Sequence, residues 1–159
     1  MRKTPFSDGE IYHVYNRGTD KRSIFSDRAD VDRFFTSMKE FNTLDPIGSL
    51  YELSFEERKL GGSTSKPLVN FICYCLNPNH YHFLLEQVVE KGIEKFMQRL
   101  GTGYTLYFNT RHKRSGALFQ GRFKSKHVES NDYLLRLSSY INLNSHVHQH
   151  GGSNTKLVR

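Results

Sequence analysis

His80 and His82 flank one bulky residue in the stretch Asn77-Pro78-Asn79-His80-Tyr81-His82-Phe83-Leu84-Leu85-Glu86. On a β-strand alternate side chains share a face, so both imidazoles aim at one point while Tyr81 and Phe83 aim away. Two neutral imidazoles placed so can hold a divalent cation. A lone pair of this kind is also an ordinary polar pattern on a half-exposed strand, so its meaning depends on what else the chain supplies. Tyr140 and Asn144 lie four residues apart, on one face of any helix they share, and Tyr133 and Leu137 extend that stripe. Packed over the histidine strand, this face brings a phenol hydroxyl and an amide oxygen to the same ion. A histidine-triad nucleotide hydrolase needs a third alternating histidine, but that position is Leu84. His146, His148 and His150 also alternate, in a glycine-containing polar stretch with no strand framework.

The charge of the chain is uneven. Its formal net charge is +7, from 23 Lys and Arg against 16 Asp and Glu. Between Lys95 and Val128 there are eight basic residues (Lys95, Arg99, Arg111, Lys113, Arg114, Arg122, Lys124 and Lys126) and no acidic ones, so this segment holds the whole excess. Interleaved with Tyr104, Tyr107, Phe108, Phe119 and Phe123, it suits a nucleic acid, because cations neutralise phosphates and rings stack on unpaired bases. The two cysteines, Cys73 and Cys75, sit within an apolar run as small residues on one strand face, a usage typical of a reducing compartment. With no membrane-length apolar run and no apolar leader after Met1-Arg2-Lys3-Thr4-Pro5, the expected location is the cytoplasm.

The elements that must hold these residues read in order. Gly9 to Arg17 alternates as a strand and breaks at Asn16-Arg17-Gly18; Ser26 or Asp27 caps a helix with apolar Val31, Phe34, Phe35, Met38 and Phe41. Residues 44–67 form a polar, mobile internal connection with a short helical candidate at Ser54-Phe55-Glu56-Glu57. Val69 to Leu76 and His80 to Gln87 make a hairpin around Asn77-Pro78-Asn79. Ile93, Phe96, Met97, Leu100, Tyr104, Tyr107 and Phe108 form a second helical stripe, which Gly101 and Gly103 are expected to kink. Arg122 to Val128 is a fourth strand, and Ser130 or Asn131 caps a last helix reaching about Leu143. The order β-α-β-β-α-β predicts an α+β, ferredoxin-like antiparallel sheet with an added C-terminal helix, in a domain of residues 1–145 followed by a polar tail, 146–159. In that topology the histidine strand lies inside the sheet, between the first and second, a rigid platform for ligands.

Four ordered segments carry a resemblance over roughly residues 8 to 145. Tyr12-His13-Val14-Tyr15-Asn16-Arg17-Gly18, Leu76 to Leu85, Gly116-Ala117-Leu118-Phe119-Gln120-Gly121-Arg122-Phe123-Lys124-Ser125 and Tyr140-Ile141-Asn142-Leu143-Asn144 are similar to those of the HUH single-tyrosine transposases, especially the REP-associated type. The resemblance implies that His80 and His82 bind a divalent metal, Mg2+ or Mn2+, with Asn144 as third ligand. It makes Tyr140 the nucleophile that cuts single-stranded DNA through a 5′-phosphotyrosine. It implies a single-stranded DNA partner bearing a hairpin; the cations expected to contact that DNA are Arg17, Arg111, Lys113, Arg114, Arg122, Lys124 and Lys126, and the expected state is a monomer or homodimer. The family's proline after the asparagine is Ser145 here, and its basic, apolar continuation is replaced by His148-Gln149-His150-Gly151-Gly152. Two other readings stand beside strand transfer: a noncatalytic nucleic-acid-binding domain on the same sheet, and a replication-initiator or relaxase-like HUH nickase.

Overall fold

Alternation along β1, Ile11–Arg17, sends Tyr12 and Val14 into the core and His13 and Tyr15 to the opposite side. In β3, His80–Gln87, the same alternation buries Tyr81, Phe83 and Leu85 on the first side and turns His80, His82 and Leu84 to the second. These strands and β2, Val69–Asn77, and β4, Lys124–His127, form one antiparallel sheet in the order β2-β3-β1-β4, as a ferredoxin-like reading requires. The computed structural model describes residues 5–45 and 65–143. The helical candidate at 54–57, most of the connection at 44–67, Asn144 and the tail at 146–159 lie outside the described residues.

One sheet face is covered by α1, Arg28–Glu40, and α2, Gly92–Arg111. Asp27 begins α1 as its cap, accepting from the Asp30 backbone N–H at 3.1 Å. Val31, Phe34 and Met38 of α1 meet Ile93, Phe96, Met97, Leu100, Tyr104 and Phe108 of α2 in the core. Phe34 lies edge-on to Tyr104, ring centroids 4.8 Å apart, and 5.6 Å from Tyr81. Burying each such ring contributes about 1.5–3 kcal/mol, so this layer holds the sheet flat against two helices and leaves its other face for α3. That helix, Asn131–Leu143, begins at Ser130, whose Oγ accepts from the Tyr133 N–H at 3.2 Å. Its Leu137 and Ile141 pack on Cys73, Cys75, Leu84 and Val128. Burial pushes the Cys73 and Cys75 thiols up to about 11, so they are neutral packing groups, as their place in the apolar run suggested.

Two expectations change. α2 runs unbroken from Gly92 to Arg111, without the kink expected at Gly101 and Gly103. Gly103 answers a packing need instead: a Cβ there would lie 2.6 Å from Cζ of Phe41, a buried residue at the end of α1. Gly101 faces open space. Gly101→Ala is therefore expected to stabilise the fold by about 0.5–1 kcal/mol, the usual gain from removing an interior helical glycine. Gly103→Ala is expected to lose more through overpacking, about 1–3 kcal/mol, than it gains from propensity. Urea unfolding of the two variants checks the opposite signs. The fourth strand is also shorter than Arg122 to Val128, because its pairing with β1 spans only Lys124 to His127. Beyond Tyr15, the Asn16 side chain donates to the Gly121 carbonyl at 3.2 Å, and Gly121 turns with φ of 72°.

Candidate active site

The strand register assembles the site. Across β1, β3, β2 and β4 it sets Arg17 and Asn77 beside His80, Tyr15 and Cys75 beside His82, Lys124 beside Tyr15, and Lys126 beside His13. Directly paired residues share a face, so this surface, partly roofed by α3, carries three histidines, a tyrosine and three cations. His80 and His82 have ring centroids 5.1 Å apart, with planes at 89°. Tyr140 on α3 stands beside His82, its ring 6.4 Å away at 83°, and it is 54% exposed, open to a substrate. The nucleophile candidate and the histidine pair thus come together within one chain.

Each histidine is engaged through Nδ1. His80 Nδ1 lies 2.7 Å from the Asn79 side-chain oxygen, which only accepts, so this nitrogen carries the proton and Nε2 keeps its lone pair. The Asn77 amide nitrogen, 3.0 Å away, donates to that Nε2. His82 Nδ1 lies 2.9 Å from His13 Nε2. Burial pulls the His82 imidazole down to about 4, with His13 and His80 adding to the effect. Burial, and then the charge of Lys126, hold His13 down to about 4. Both rings are therefore neutral near pH 7, the state in which imidazole donates to a metal. Among the described residues no group of three or more His, Cys, Asp or Glu side chains could hold a metal ion. The donor set on this face, the His80 and His82 imidazoles, fits part of a divalent-cation site and requires further oxygen donors. An amide at position 144, one residue beyond the described end of α3, is of the right chemical type.

The cations expected to meet DNA divide into groups. Arg17, Lys124 and Lys126 lie on the histidine face. Lys126 Nζ sits 4.8 Å above the Tyr133 ring, tying β4 to α3, and the Arg17 Nε–H donates to Gln120, tying β1 to the segment before β4. Arg122 is exposed and, with Asn16, Gln98, Thr102 and Asn109, lines a groove of about 1100 Å³ between α2 and the 117–123 segment. Lys113 and Arg114 follow the end of α2, where the Arg114 guanidinium donates to Asn109 at 3.0 Å.

Arg111 is brought not to the histidine face but to the start of α1, where it donates to Asp27 at 2.7 Å and to the fully buried Asp30 at 2.6 Å. Its hydrogen bond holds the Asp27 carboxyl below the usual range. Arg111→Met is expected to lower the urea midpoint, because the buried Asp30 then loses its guanidinium partner and keeps His112, the Ser26 N–H and Tyr107. A variant that weakens DNA binding at unchanged stability contradicts this structural role. Sequence reasoning underused His13, Tyr15, Asn77 and Asn79. The signal for the first two was present, since the predicted strand order sets β1 beside β3 and the alternation puts both on the histidine face.

Comparisons with known proteins bear on the family and the fold. The family described as Transposase IS200 like matches residues 60–144, more than half of the chain, a span holding the histidine strand and Tyr140. Among curated proteins none matches. In structure the chain is similar to a REP-associated tyrosine transposase solved bound to a REP hairpin, with 11% identity, a TM-score of 0.53, and 91% of this chain and 71% of that one covered. A second similar structure is a candidate transposase from Deinococcus radiodurans R1, with 12% identity, a TM-score of 0.49, and 91% and 98% covered. The first likeness concerns the fold, a four-stranded antiparallel sheet with helices and a C-terminal helix. Among the described residues no helix is long and apolar enough to cross a membrane. The chain belongs to the IS200-like transposase family.

Proposed function

We propose that this protein is a metal-dependent single-stranded DNA endonuclease and strand transferase that works through a 5′-phosphotyrosine on hairpin-bearing DNA. The observation that carries the reading is the opposition of Tyr140 on α3 to His82 across the sheet face. The ring is open to a substrate, and a nucleophile must lie beside the groups that orient its phosphate.

His80 and His82, through their Nε2 nitrogens, and Asn144, through its amide oxygen, would hold the cation, and Asn77 would give up its hydrogen bond to His80 Nε2. A bound Mg2+ or Mn2+ supplies positive charge that polarises a nonbridging phosphate oxygen. Neutral ligands leave that charge undiminished. Arg17 and Lys124, at the edges of the same face, seat the flanking phosphates and orient the strand. The Tyr140 oxygen attacks phosphorus in line and loses its proton to solvent. A tyrosyl oxygen–phosphorus bond forms, the bond from phosphorus to the upstream 3′-oxygen breaks, and that oxygen takes up a proton as a free 3′-hydroxyl. Attack of another 3′-hydroxyl on the phosphotyrosine rejoins DNA and returns Tyr140, so strand transfer needs no nucleotide cofactor.

Hairpin DNA is the proposed substrate because the similar REP-associated transposase was solved with a hairpin and because the basic excess here adjoins aromatic side chains. The test is incubation of the protein with 5′- and 3′-labelled hairpin-bearing single strands and Mn2+, followed by a denaturing gel. Label from the 3′ part of the strand is expected to travel with protein. Binding without any cleavage or adduct would instead support a noncatalytic DNA-binding domain.

A further inference from the structure

We propose that His13 is a positioning residue for the metal site: it accepts the Nδ1–H of His82 and thereby fixes the tautomer that presents His82 Nε2 to the cation. The inference rests on the reading of His80 and His82 as ligands and assigns a role to a third histidine beside them.

The geometry is specific. His13 Nε2 lies 2.9 Å from His82 Nδ1, with the rings stacked at 5.1 Å and 20°. Tyr15 stacks on both, 4.9 Å from His13 and 5.7 Å from His82, so the two imidazoles are held in near-parallel planes. One proton occupies the short gap between the nitrogens. On His82 Nδ1, it leaves the lone pair of His82 Nε2 available and places the His13 proton on Nδ1. On His13 Nε2, it forces the His82 proton onto Nε2, which then cannot coordinate. A metal is compatible only with the first arrangement.

His80 has no such choice. Its Nδ1 faces the Asn79 oxygen, which can only accept, and the lone pair is committed to Nε2. Both histidines thus have Nδ1 tied down, with His80 Nε2 accepting from Asn77, but the partner of His82 can either give or take a proton. Outer partners of metal-bound imidazoles that accept the second N–H fix ring orientation and raise ligand basicity. The register explains why His13 can reach: Tyr15 pairs directly with His82, and His13 is the next residue on that face, diagonal across β1 and β3.

The test measures Mn2+ affinity of the full chain without DNA, by the electron paramagnetic resonance signal of free Mn2+. His13→Phe keeps a stacking ring but removes the acceptor, and it is expected to weaken Mn2+ binding about 10- to 100-fold. His13→Gln, whose amide oxygen reaches the place of Nε2, is expected to restore most of the affinity. Wild-type affinity in His13→Phe overturns the inference while leaving the ligand reading intact; wild type that binds no Mn2+ overturns both. Should His13→Phe fail to fold, imidazole nitrogen-15 correlation spectra of the metal-free wild type decide. His82 protonated at Nδ1 supports the assignment, and His82 protonated at Nε2 refutes it.

Discussion

Tyr140→Phe is expected to remove the covalent protein–DNA adduct and lower cleavage by at least about a thousandfold, since the phenyl ring has no oxygen to attack phosphorus. The change deletes one oxygen from a ring that is 54% exposed, so stability should shift by less than about 0.5 kcal/mol. DNA binding should persist, because the cations assigned to phosphates lie on β1 and β4 rather than on α3. Titration of a labelled hairpin strand with the variant, alongside a denaturing gel, separates the two quantities. An adduct that survives in Tyr140→Phe moves the nucleophile elsewhere, and Tyr133 is the alternative on the same helix.

The second large effect belongs to the histidine pair. His80→Ala or His82→Ala is expected to cut Mn2+-dependent cleavage by at least about a hundredfold, since one imidazole cannot hold the ion against the scissile phosphate. The two variants should differ in stability. His82 is the more enclosed ring, sandwiched by contacts with His13, Tyr15 and Tyr140, whereas His80 lies at the open start of β3 beside Asn77 and Asn79. His82→Ala therefore loses packing as well as a ligand, and His80→Ala is the cleaner probe. Thermal melts with cleavage rates over a range of Mn2+ concentrations check both; full-rate cleavage in folded His80→Ala removes the metal argument.

Much of this was legible from residue order. Alternation in 11–17 and 80–87 identified which side chains share a face, and the β-α-β-β-α-β order made β1 and β3 neighbours, so the histidine face could be anticipated before its contacts were known. Tyr140 was reachable through its spacing from Asn144 and through the resemblance of the four segments. Packing was not legible. Gly103 looked like a weak point in α2, and only the ring of Phe41, sixty-two residues earlier, explains it. Arg111 looked like one cation among eight, yet its partners Asp27 and Asp30 belong to the first turn of another helix. Local pattern reports the face a residue occupies; long-range partners decide what it does there.

The same distinction applies to the cations of the basic segment. Lys124 and Lys126 share the histidine face, but Lys126 also braces Tyr133 of the helix that carries Tyr140. Its charge is thus set where it can serve both a phosphate and the seating of α3. The groove beside α2, lined by Arg122, Glu94 and uncharged residues, lies on the far side of the sheet from the histidines.

The central claim is that Tyr140 becomes linked to DNA, and mapping the adduct tests it most directly. Wild-type protein is incubated with a hairpin-bearing single strand and Mn2+, the complex is digested with protease and nuclease, and the modified peptide is sequenced by mass spectrometry. The account predicts a nucleotide joined through its 5′-phosphate to the peptide containing Tyr140. Linkage to any other residue, or cleavage of the strand with no protein-linked nucleotide, contradicts it.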